Sequence, residues 1–140
     1  MGTKAKLAFG IVAGLAVAVL GGWIWGALGR SDLARELQAA ELRGELLGAR
    51  AAALDARVAI YSVNFGEASA HLENARGLLG FAETRLVELG RDDEVRQVQT
   101  ALASLGEAQR LAGKLDQDAN SRAGEAAKTI ADVLDAAARR

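Results

Sequence analysis

The chain of 140 residues contains no cysteine and no proline, a single histidine, and aromatic side chains at only 4% of positions. Without cysteine there are no disulfides, thiolate metal sites or thiol nucleophiles, and one histidine excludes every site that needs two imidazoles. Acidic residues are missing altogether from the first 30 positions, where Lys4, Lys6 and Arg30 are the only charged side chains. With 18 acidic and 14 basic residues, positions 31–140 carry −4, so no strongly basic surface suggests nucleic acid as a partner. The absence of proline, together with 31 alanines and long runs free of turn residues, predicts an all-α chain.

The longest uncharged run covers residues 7–28, which is 22 residues, enough at about 1.5 Å each to cross a hydrocarbon core of roughly 30 Å. It reads as one transmembrane helix behind a short basic leader, residues 1–6. A cleaved secretory signal is the rival reading, because Ala27-Leu28-Gly29 is a small-x-small triplet. The run is longer than the usual signal core, however, and Trp23 and Trp25 suit an interfacial anchor, being apolar in body and polar at the indole N–H. Basic residues nearly balance across the segment, with Lys4 and Lys6 before it and Arg30, Arg35 and Arg43 after it. A short basic leader before a strong apolar segment resembles a signal anchor, which keeps the N-terminus cytoplasmic and exports the tail. Alanine- and arginine-rich usage with only Lys4, Lys6, Lys114 and Lys128 for lysine hints at a GC-rich bacterial genome. The expected location is therefore a bacterial inner membrane with the tail in the periplasm.

Within that run Gly10, Gly14, Ala18, Gly22 and Gly26 recur at steps of four. On a helix this step makes a ridge without bulk, along which another transmembrane helix can pack closely. The bland explanation is that glycine and alanine are common in membrane helices, but five small residues in register favour a packed interface.

Residues 31–140 read as a helical tail, starting at Ser31-Asp32 or continuing straight from the membrane. Leu33, Leu37, Ala40, Gly44, Leu47, Ala51, Leu54, Val58, Tyr61 and Phe65 follow a strict 4,3 alternation, the mark of a heptad seam. A second line, Leu42, Leu46, Ala49, Ala53, Ala56, Ile60 and Val63, runs beside it, and so wide a stripe asks for at least two neighbours. Gly44 and Gly48 lie on or beside this stripe and suggest a close helix approach.

The first turn is expected at Asn64-Phe65-Gly66, where Asn and Gly tolerate a left-handed backbone. Helix two then runs from about Glu67 to Leu89 on a seam of Ala68, Leu72, Ala75, Leu79, Ala82, Leu86 and Leu89, closed by Gly90. Asp92 or Asp93 is placed to cap helix three, which starts near Glu94 on a seam of Val98, Ala101, Leu105, Ala108, Ala112, Leu115 and Ala119. The phase slips between Ala119 and Ala123, then resumes at Ala126, Ile130, Val133 and Ala137. The slip fits either one unbroken helix of about 69 Å or a turn at Asp118-Ala119-Asn120-Ser121. The fold expected is thus an antiparallel helical bundle of three long helices, or of four if the chain folds back near Asn120.

Residues 59–89 resemble one tetratricopeptide hairpin through Ala59-x-Tyr61, Gly66-Glu67-Ala68, Leu72, Ala75 and Leu79. The likeness lacks the family's closing Pro and no repeat of about 34 residues follows, so it implies a helical hairpin and no binding residues.

Few residues suggest chemistry. His71 follows Glu67 by one turn, which a surface i, i+4 pair explains, since a di-metal bundle needs a second histidine. Asp116-x-Asp118-x-Asn120 matches the start of a calcium loop, but Ser121 replaces the required Gly and Ala127 the bidentate Glu. Asp92-Asp93-Glu94 complements a helix dipole. Tyr61, Phe65 and Phe81, the only aromatic residues of the tail, either plug the bundle's end or form a partner-docking tip. No catalytic, cofactor or metal site is expected.

The leading expectation is a non-enzymatic, single-pass accessory or scaffolding subunit of a membrane complex. Its expected partners are other membrane subunits and the lipid bilayer, in a hetero-complex before a homo-oligomer. Two alternatives stand beside it: a self-associating membrane-anchored coiled-coil tether, and a membrane-anchored helical carrier or sensor with a ligand cavity.

Overall fold

A computed structural model describes residues 33–139, all of which lie in helices or the turns between them. Helix α1 occupies residues 33–61, α2 Phe65–Glu88, α3 Asp92–Ala112 and α4 Ala119–Ala138. The segment expected to span the membrane, residues 7–28, lies outside the described residues. Among those described, no helix is long and apolar enough to cross a membrane.

The chain divides into Met1–Gln38 and Ala39–Arg140. Residues 33–38, the described part of the first unit, are helical and exposed. The second unit is a four-helix bundle. α2 packs on α3 and α3 on α4, while Glu41 and Glu45 of α1 reach Arg85 of α2 and Arg57 of α1 reaches Asn120 of α4, which closes the ring. Of the two lengths considered for the third helix, the fold-back is the one found: α3 ends at Ala112 and α4 begins at Ala119. At about 32 and 30 Å these helices match each other, so neither leaves a long overhang bare.

The core is built from alanine and leucine. Ala68, Leu72, Ala75, Leu79, Ala82 and Leu86 of α2 are fully buried, as are Val98, Ala101, Leu105 and Ala108 of α3 and Ala119, Ala123, Ala126, Ile130 and Val133 of α4. These agree with the seams read from the sequence except at three ends: Leu89 and Leu115 are exposed, because each sits in a turn that leaves the helix direction, and Ala137, in the last turn of α4, is only half-buried.

Of the two apolar lines expected side by side on α1, only the second turns inward. Leu42, Leu46, Ala49, Ala53, Ala56 and Ile60 face the core, whereas Leu47, Leu54, Val58 and Tyr61 of the longer 4,3 line are exposed. A Cβ on Gly48 would stand 3.1 Å from Leu78 Cδ1, so α1 and α2 approach closely there, whereas Gly44 has open space beside it.

All three turns use one device. The N–H groups of Val63, Gly90 and Leu115 donate to Ile60, Val87 and Ala112, and the following N–H groups donate back to Ala59, Leu86 and Leu111, which satisfies the last carbonyls of each helix. The motif needs a left-handed residue, and φ is 60° at Val63, 66° at Gly90 and 57° at Leu115. Gly90 closes α2 where expected. The first turn is not at Asn64-Phe65-Gly66: Val63 takes the left-handed position, Asn64 caps α2, and Phe65 and Gly66 are already helical. Asn64 Oδ1 accepts from the Glu67 N–H, and Asn64 Nδ2 donates to Glu67 Oε2 at 2.6 Å, a reciprocal cap. Asp92 and Asp93 are in the first turn of α3 and do not cap it; the capping position belongs to Arg91.

Candidate functional site

Gly10, Gly14, Ala18, Gly22, Gly26, Trp23 and Trp25 lie outside the described residues. The three tail aromatics do not gather at one tip. Tyr61 is 83% exposed at the end of α1, Phe65 is buried at the start of α2, and Phe81 is exposed about 24 Å further along α2.

The most extensive apolar feature left uncovered on α1 is its outer line. Within the unit Ala39–Arg140, Leu47, Leu54, Val58 and Tyr61 are between 37 and 83% exposed, and Ala40, Gly44 and Ala51 of the same line are exposed as well. Among the described residues nothing covers this line, while the opposite face of the same helix is buried in the core.

Polar links join α1 to α2 and to the start of α4. Arg85 Nη1 meets Glu41 Oε2 at 2.8 Å and its Nε donates to Glu45 Oε1 at 2.8 Å. The Glu45 hydrogen bond, with the nearby carboxylates of Glu41 and Glu88, raises the Arg85 pKa above its already high value, so the guanidinium is permanently charged. At the other end Arg57 Nε donates to Asn120 Oδ1 at 3.1 Å, and Asn120 Nδ2 donates to the Arg57 carbonyl at 3.0 Å. Gln117 Nε2 adds a bond to the Ile60 carbonyl at 3.3 Å. None of these pairings is legible in the sequence, where Asn120 and Ile60 stand out for other reasons, because each partner lies 40 or more residues away.

The residues singled out for chemistry are occupied structurally. Glu67 Oε1 is 3.7 Å from His71 Nε2, and its other oxygen serves the Asn64 cap. Both border an open depression of about 470 Å³ with Asp55, Val58, Ser62 and Asn64. Asp116 Oδ1 accepts from the Asp118 N–H within the turn, and Asn120 is committed to Arg57. Glu94, read as one of three acids at a helix start, is 2% exposed and paired with Arg91 at 2.8 Å. Among the described residues no three His, Asp or Glu side chains are grouped to hold a metal ion.

Comparison with known proteins adds no relative: no family model matches the chain, and no curated protein or solved structure matches it either.

Proposed function

We propose that the chain is a non-enzymatic, single-pass membrane protein that works as an accessory or scaffolding subunit of a larger membrane complex. The exposed 4,3 line on α1 carries this reading, since the bundle completes its own core without it. The uncharged run at residues 7–28 supports the anchor, and the small-residue step from Gly10 to Gly26 supports close packing with a second transmembrane helix. In this reading the N-terminus is cytoplasmic and the tail is periplasmic, at a bacterial inner membrane.

Extraction tests the anchor. The full chain should stay with membranes through alkaline carbonate and leave only with detergent; release by carbonate, or a mature chain beginning after Gly29, would overturn it. Gly14→Ile with Gly22→Ile tests the ridge. The pair should still insert but lose partners that co-purify with the unaltered chain, and full retention of those partners would remove the ridge from the account.

A second reading, the self-associating tether, is favoured by the heptad spacing of that same α1 line, which a second identical helix satisfies.

A further inference from the structure

We draw no further inference here: the strongest candidate, the exposed apolar line of Leu47, Leu54, Val58 and Tyr61 along the outer face of α1, carries none because nothing in the structure shows what covers it.

Discussion

Arg57 and Asn120 hold each other twice across the α1–α4 contact: the Arg57 guanidinium donates to the Asn120 side-chain oxygen, and the Asn120 amide donates back to the Arg57 main-chain carbonyl. The guanidinium also lies over Gly124, where a Cβ would be 3.3 Å from it. This link joins the first and last helices and so closes the bundle.

Asn120→Ala removes both bonds and should destabilise the chain by about 1–2 kcal/mol. Arg57→Met removes the guanidinium from above Gly124 but leaves the Asn120 amide its bond to the residue 57 carbonyl, and should cost about half as much. Urea unfolding followed by helical circular dichroism measures both, and an Arg57→Met cost above that of Asn120→Ala would contradict the double link.

Val63 holds a left-handed backbone with a β-branched side chain that is mostly exposed. Val63→Gly relieves that strain and should raise stability by about 0.5–1 kcal/mol, net of the entropy that glycine adds to the unfolded chain. Gly90→Val imposes the same strain at φ 66° and should lower stability by about 1–2 kcal/mol. Opposite shifts in thermal midpoint are the expected observation.

Gly44 and Gly48 should part company. Gly44→Ala meets open space and gains helix propensity, about 0.5–1 kcal/mol of stability. Gly48→Ile drives a branched side chain into Leu78 and should cost about 1–3 kcal/mol. Equal effects in a denaturant titration would remove the close approach of α1 to α2.

Glu107 supplies a pH dependence. Arg110 donates to its carboxylate, with Nε at 2.8 Å, and holds its pKa below the ordinary carboxylate range. A carboxyl whose pKa is lowered on folding contributes stability above its unfolded pKa and loses it as pH falls through the folded value. Between pH 7 and pH 3 the unaltered chain should therefore lose slightly more stability than Arg110→Gln. The difference is small because both side chains are solvated. Identical losses in urea midpoint would show that the pair makes no contribution.

The three turns show where sequence is legible. Gly90 announced its turn, because glycine is the residue a left-handed position selects. Val63 and Leu115 adopt the same backbone with side chains that give no such signal, so the sequence points to Asn64 and Gly66 for the first turn and leaves the third open between an unbroken helix and a turn at Asp118–Ser121. The seam of α2 was readable from Ala68 to Leu86 because that helix has a single apolar line. Periodicity marks both lines of α1 and does not rank them, because spacing along one helix says nothing of what stands opposite.

Composition and periodicity alone determined that this chain is helical, where its apolar lines run, and that its ends differ in character, since spacing along a helix is a local property. Which line of α1 turns inward, whether the third helix folds back, and that Glu94 is buried with Arg91 were decided only by tertiary structure. Each depends on what stands opposite: Leu78 against Gly48, Arg85 between Glu41 and Glu45, Asn120 against Arg57. Partners 30 to 63 residues apart leave no mark in the periodicity of either segment.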